Sequence, residues 1–407
     1  MTTFRGEDSL PAWLDRHHVD VIRTQATKLD GTLIGEYVHR NKFLAALPNG
    51  SIVNDVALAL DDVCLKPDLD TLTPDRHDSN LGHCIANVVT TDGAEIGNCP
   101  RTTLSRVVKQ LHTMGYAANI SPQLEFYLYQ VSFPEAQSRK YKDLPPLGLS
   151  RPPYALRDSY HAKGFMDETT HRMAYLGIEW ESWNAANGIG QLTLKLTPTD
   201  PITTADRILR TKQIIYEVAT DQDIAATFMS APTTDRSSDL YIDHSLTRAD
   251  AEVLDEDTVT HWLGGLLTTL PASIAYLCPT INAYRRQTPF SLDAIRRRRG
   301  SSNGLIHRLG SSDLNPYLGI AVILAGGIVG LKNQVNPDDS LGVPGLPIPD
   351  SLDAAITNLE QSEELASVLG KDIVTHWADA HRMSIVPNAS DQDNISDWEY
   401  HRYFEFI

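Results

Sequence analysis

The sequence predicts an α+β fold, and three observations predict it. Hairpin-like runs and turn signals fill the first hundred residues, about five strand-like runs separated by helices lie between residues 119 and 246, and mostly helical segments follow. Strands and helices segregated in this way favour α+β over a doubly wound parallel sheet. The chain has 407 residues, 42% hydrophobic and 21% charged, an ordinary globular composition with enough apolar material for two cores. The change of pattern near Pro100 divides it into residues 1–100 and 101–407.

Val19–Thr24 and Thr32–Val38 flank the turn signal Asp30-Gly31, and His83–Thr90 leads to Asp92-Gly93, as strands of hairpins do. Between them the acidic, Pro-broken stretch Asp61–Asp78 reads as a surface loop. From Arg101, the residues Leu104, Val107, Val108 and Leu111 recur at helical spacing until Gly115 stops them. Asn119–Tyr129, NISPQLEFYLY, is the strand that follows, and its alternation puts Gln123 and Glu125 on one face. A carboxylate there is either a working group or a side chain solvated at the sheet surface. Ser132–Tyr160, rich in Pro and charge, reads as a long excursion, and Gly164–Leu176 as a helix. Ile178–Trp183 and Gly190–Leu196 form a hairpin across AANG. Asp200-Pro201 opens a helix whose apolar face carries Ile208, Leu209, Ile215 and Val218. Ala225–Ser230 and Asp239–Leu246 read as strands, and helices over 255–281, 315–331, 351–369 and 371–382 close the chain.

Lys and Arg number 35 against 52 Asp and Glu, a formal net charge of -17 that repels phosphate backbones and anionic membrane surfaces. Neither nucleic acid nor a membrane is an expected partner. The run Arg296–Arg299 is a local exception, either a site for phosphate or carboxylate or a solvated basic loop. Four cysteines with no C-x-x-C pair argue against a zinc knuckle or a disulfide framework and for a reducing compartment. The N-terminal segment has no basic run before a long apolar one, and Tyr317–Leu331 is short and Gly-rich for a membrane span, so a cytoplasmic location is expected. No dinucleotide fingerprint, P-loop, H-E-x-x-H or nucleophile elbow occurs.

LPAWL near the start, PDLDTL at 67–72, PRTTL at 100–104, LEFYLY at 124–129, GIGQ at 188–191 and ATFMSAP at 226–232 follow one another along the chain. HSL at 244–246, PTINAYRR at 279–286, NPYLGIAVILAGGIVGLKN at 315–333 and DWEYHRYF at 397–404 continue the series. In this order the segments resemble the glutamine synthetase family. The resemblance implies an N-terminal β-grasp domain and a C-terminal catalytic domain with a curved antiparallel sheet shaped as a funnel. ATP enters one end, an acid and an amine enter the other, and Mg or Mn ions sit between them. It also implies a homo-oligomer, with decamer or dodecamer rings.

The chain departs from that family where its ligands are expected. Gln123, Ala186, Thr193, Tyr241 and Ile306 stand at positions of metal ligands, which leaves Glu125, and Asp243 stands at a further His. Lys28 replaces an Asp donated to a neighbouring subunit, Asp293 is the candidate nearest to the flap acid, and the W-G-x-x-N-R element is missing. No metal and no cofactor is therefore expected. The face that remains carries Gln123, Glu125, Gln191, Thr193, Tyr241 and Asp243, with Arg286 and Arg308 nearby, and suits a small polar or zwitterionic ligand.

The first functional expectation is a repurposed small-molecule enzyme doing ATP-independent acid-base chemistry. Glu125 or Asp243 would transfer the proton, Arg286 and Arg308 would grip a carboxylate, and Gln123, Gln191, Thr193, Tyr241 and His244 would bind the substrate. The alternatives are a non-catalytic binder or scaffold, and an ATP-dependent γ-glutamyl ligase with unusual metal ligation. Structural roles stand beside these: Glu125 paired with an arginine, Gln191 capping the hairpin turn, and Asp243 and His244 as hydrogen-bonded wall.

Overall fold

Two sheets, each built around one long strand, organise the computed structural model, which describes residues 3–6, 9–53, 63–75, 77–149, 152–234, 237–248, 254–286, 295–337, 348–385 and 394–405. The strands are β1 (Val21–Thr27), β2 (Leu33–His39), β3 (Ser51–Val53), β4 (Val63–Pro67), β5 (Thr73–Pro74), β6 (Leu81–Thr90) and β7 (Tyr116–Tyr129). After them come β8 (Trp180–Ala185), β9 (Gln191–Leu196), β10 (Ala225–Thr227), β11 (Leu240–Arg248), β12 (Ile295–Arg297) and β13 (Gly304–His307). The first sheet has the order β2-β1-β6-β4-β3 with β5 added to β6, and its β1–β6 pair is parallel. The second has the order β12-β13-β11-β7-β9-β8 with β10 added to β7, and its described pairs are antiparallel.

The 14-residue β7 is the spine of the second sheet. Its neighbours set the faces: Leu124 lies opposite Leu240 and Leu194, while Gln123 lies opposite Tyr241 and Lys195, and Glu125 opposite Thr193. Leu124, Phe126, Leu128, Leu192, Leu194, Leu240 and Ile242 therefore share the apolar face, where all are buried in the main core. Each such Leu, Ile or Phe contributes about 1.5–3 kcal/mol by leaving water, which fixes the register because a slip of one residue would expose them all. The polar residues of the alternation are left together on the other face.

Helices cover the apolar face. Asp200 accepts hydrogen bonds from the backbone N–H groups of Ile202 and Thr203, and Pro201 sits at the first helical position, so Pro201–Asp221 starts where the sequence places it. The helix Glu256–Leu277 packs on Pro316–Asn333 at glycines: a Cβ on Gly265 would run into the backbone of Gly326 and Gly330. The latter helix is long and apolar enough to cross a membrane by composition, but 83% of it is buried inside the fold, and it is the central core helix. Asn315 caps it by accepting from Tyr317 N and also donates to the carbonyls of Lys28 and Leu29, which ties the β1–β2 turn to the core. Near the C-terminus, Asp397–Tyr403 carries a fully buried Glu399 that takes two bonds from Arg285, at 2.7 and 2.9 Å, and one from Asn282 at 3.3 Å.

Some sequence-based expectations are overturned. Asp61–Asp78 is not a plain loop: Val63, Cys64 and Leu65 are buried in β4, which pairs with both β3 and β6. A three-residue apolar run between acids is a weak local signal, and pairing with the long β6 decides its state. The expected helix over 351–369 breaks at Ser362, which caps a second helix by accepting from Leu365 N. The excursion 132–160 holds two short helices, Phe133–Ser138 and Leu156–His161. The arginine run is not a plain loop either, since Arg296 and Arg297 belong to the edge strand β12, whose partner β13 had no sequence signal.

Candidate active site

Alternation on four neighbouring strands gathers Gln123 and Glu125 from β7, Gln191, Thr193 and Lys195 from β9, Asn184 from β8, and Tyr241 and Asp243 from β11. Glu125 is the buried centre of this face. Its Oε2 accepts from Gln191 Nε2 at 2.9 Å and from Asp239 N at 3.2 Å. Gln191 Oε1 meanwhile accepts from Gly188 N at 2.8 Å, so the amide both closes the β8–β9 turn and presents its NH2 to Glu125. The hydroxyls of Ser238 and Ser312 lie 2.9 and 2.6 Å from the Glu125 carbonyl oxygen and fix the strand at that point. Burial, with the Asp239 carboxylate close by, lifts the Glu125 carboxyl far above the usual carboxylate range, to about 8. At neutral pH it carries a proton.

Asp239 is held by Arg286 in a buried ion pair and accepts from Tyr241 Oη at 3.3 Å. Arg286 also donates to Leu309 O at 3.0 Å and Ala283 O at 3.2 Å. These bonds correct the expectation that Arg286 grips a ligand carboxylate: its side chain is 5% exposed and its donors serve the protein. Burial and the neighbouring carboxylates hold the Tyr241 hydroxyl protonated, raised above its ordinary range.

Asp243 Oδ1 accepts from His307 N at 3.1 Å, and Oδ2 lies 2.9 Å from Arg298 and 3.8 Å from Arg308. With both oxygens engaged, Asp243 anchors guanidinium groups rather than moving a proton, a correction to one of its expected roles. Arg308 stacks over the Tyr241 ring at 5.2 Å, and its side chain is 47% exposed. It remains open to a ligand anion. The basic run is thus partly absorbed: Arg297 pairs with Glu256, and Arg298 reaches the polar face.

His244 is not brought to this face. It points into the core, where its Nε2 accepts from Trp262 Nε1 at 3.0 Å and its Nδ1 lies 3.3 Å from the Ile242 carbonyl. Burial drives its pKa down to about 4, which keeps it neutral. The alternation that gathers Tyr241 and Asp243 necessarily turns His244 away. Asp293 lies outside the described residues.

The metal ions implied by the resemblance require several hard oxygen ligands around one point. Among the described residues no three His, Cys, Asp or Glu side chains are grouped to hold one. Instead Arg286 neutralises Asp239, Arg298 neutralises Asp243, and Lys195 meets Glu181 at 2.5 Å. The described residues do not fit a divalent-ion cluster. Sequence reasoning gave Arg298 no partner and had no signal for Ser238 or Ser312, because each acts through strands distant in the chain.

Comparison with known proteins agrees with this architecture. The family model for the glutamine synthetase catalytic domain matches residues 97–403. A glutamate–isopropylamine ligase from Pseudomonas sp is 25% identical, covering 97% of both chains, and a glutamine synthetase from Halobacterium salinarum is 25% identical over 96% of this chain and 95% of its own. The solved structure titled "Apo GmaS without ligand" superposes with a TM-score of 0.83 at 22% identity, covering 97% of this chain and 98% of that one. With more than half its length matched by the family model, and with that two-sheet architecture, the chain belongs to the glutamine synthetase family.

Proposed function

We propose that the chain acts on a small carboxylate-bearing molecule at this polar face, in the carboxylate–amine ligation class of its relatives. The observation that carries this reading is end-to-end similarity to a protein named glutamate–isopropylamine ligase, accompanied by one named γ-glutamylethanolamide synthetase from Streptomyces coelicolor. ATP-independent chemistry, expected from the missing ligands, has no relative in its support, and a ligase is the better fit. In this reading Arg308 binds the substrate carboxylate. The ionised fraction of Glu125, which grows as pH rises toward about 8, takes the proton that the amine must lose as the amide bond forms. ATP would supply carboxylate activation, but the described side chains do not fit the metal cluster that accompanies it.

The test is ADP release by the full chain supplied with ATP, Mg or Mn, glutamate and, in turn, ammonia, ethanolamine and isopropylamine. Release that needs both glutamate and an amine supports the ligase, and no release with any amine sinks it. A second reading, a ligand-binding member without turnover, is favoured by the pairing of Asp239 and Asp243 with arginines. Calorimetric binding of glutamate without ADP release would select it.

We further propose that the chain divides near residue 100 into a β-grasp unit and a catalytic unit, supported by the mixed six-stranded first sheet. A cytoplasmic homo-oligomer completes the reading. It is supported by the family resemblance and by the exposed side chains of Tyr154, Leu156 and Tyr160 beside β8. Light scattering on the purified chain tests the assembly.

A further inference from the structure

A second concentration of positive charge lies away from the polar face, in a cavity of about 430 Å3 between the segments flanking β5 and the start of the helix Pro201–Asp221. Arg5 and Asp70 come from the N-terminal side, and Thr203, Asp206, Arg207 and Arg210 from the helix. Arg210 is 8% exposed, yet among the described residues it makes no ion pair. Its Nη2 donates to the Thr71 carbonyl at 2.9 Å, and its Nε is buried with no hydrogen-bond partner among the described residues. The nearest acid, Asp206, is already committed to Arg101 at 3.1 and 3.0 Å and to the Tyr317 hydroxyl at 2.5 Å. Burial accordingly pulls the Arg210 pKa below its ordinary value, the mark of a guanidinium short of compensation. Arg207 spends one nitrogen on the Gly177 carbonyl at 3.3 Å, while Arg5 and Asp70 are exposed on the rim. A buried cation without a counter-ion is costly, and an anion entering the cavity removes that cost.

We propose that this cavity is a binding site for a small oxyanion, a phosphate or carboxylate group, held by Arg210 and Arg207 with Arg5 at the entrance. The chain's net charge of -17 repels anions in general, so attraction here is local and specific to the three guanidinium groups. Because its walls come from both ends of the Asp70-to-Arg210 interval, an occupied site clamps the N-terminal segment onto the helix that supports the second sheet. It is a position for an effector, separate from the polar face that carries Glu125.

The experiment is calorimetric titration of the full chain with inorganic phosphate and, in a separate arm, with succinate. Saturable binding of either supports the site and names the anion class. Arg5→Ala combined with Arg207→Ala, both outside the core, is expected to weaken that binding at least about tenfold through loss of charge-assisted bonds. Arg308→Ala removes the anion-binding group of the other face and is expected to leave the binding event at this cavity in place. Arg210→Met should abolish it, and if that variant fails to fold the double variant decides alone. The proposal is overturned by absence of saturable binding of both anions up to about 10 mM, by binding that survives the double variant, or by binding lost only in Arg308→Ala.

Discussion

Glu125 keeps a carboxyl group where a charge is poorly solvated, and this gives stability a sign with pH. Its folded pKa, raised from 4.5 to about 8, exceeds the unfolded value, so the native state holds a proton that the unfolded state releases across that interval. The stabilising term is fully present below the unfolded pKa and is lost as pH rises through the folded one. Urea denaturation between pH 5 and 9 should show wild-type stability falling with pH. Glu125→Gln, which keeps the Gln191 and Asp239 contacts without a titration, should flatten the profile by on the order of 1 kcal/mol or more. An unchanged slope would mean that Glu125 ionises freely. Arg308→Ala should fold normally, because that side chain is half exposed, and should weaken glutamate binding by about tenfold or more in calorimetry. At this scale the sequence was informative about faces and silent about partners. Alternation alone gathered Gln123, Glu125, Thr193, Tyr241 and Asp243, but nothing in it could reveal that Arg286 belongs to Asp239 or Arg298 to Asp243.

The two core helices meet where side chains are absent. Gly265→Ala should cost about 1–3 kcal/mol, since the added methyl runs into the backbone of the partner helix and neither backbone can give way. Gly164→Ala, in the helix Lys163–Tyr175 with open space around its Cβ position, should stabilise by roughly 0.5–1 kcal/mol. Urea midpoints of both variants check the contrast in sign. Elements with strong period or caps were legible in the sequence: β7, the hairpin β8–β9, and the helix opened by Asp200-Pro201 all lie within three residues of expectation. The illegible ones, β4, β12 and β13, are short, and their state comes from a partner strand rather than from their own residues.

Across the whole molecule, Arg101 joins the two sheet units. It meets Asp68 at 2.8 Å, Asn87 at 2.8 Å and, through two bonds, Asp206, and it is almost completely buried. Arg101→Ala removes both ion pairs, with Asp206 and with Asp68, and should cost about 3–5 kcal/mol. Calorimetric scans should then show the N-terminal unit melting ahead of the rest, where the wild type melts in one step. The order of short segments along the chain made this architecture legible, because each tolerates change around a fixed position in the fold. The chemistry was less so, since Asp243 of β11 is held by Arg298 and Arg308 from the segments that follow β12 and β13, and no spacing rule links them. The buried contact between Arg285 and Glu399 carries the same lesson into descent. A single substitution on either side breaks a two-bond contact to a fully buried carboxylate, so drift at these positions passes most easily through a joint exchange. Relatives that differ at one should differ at the other, and a chain with the two residues swapped should fold better than either half-swapped form.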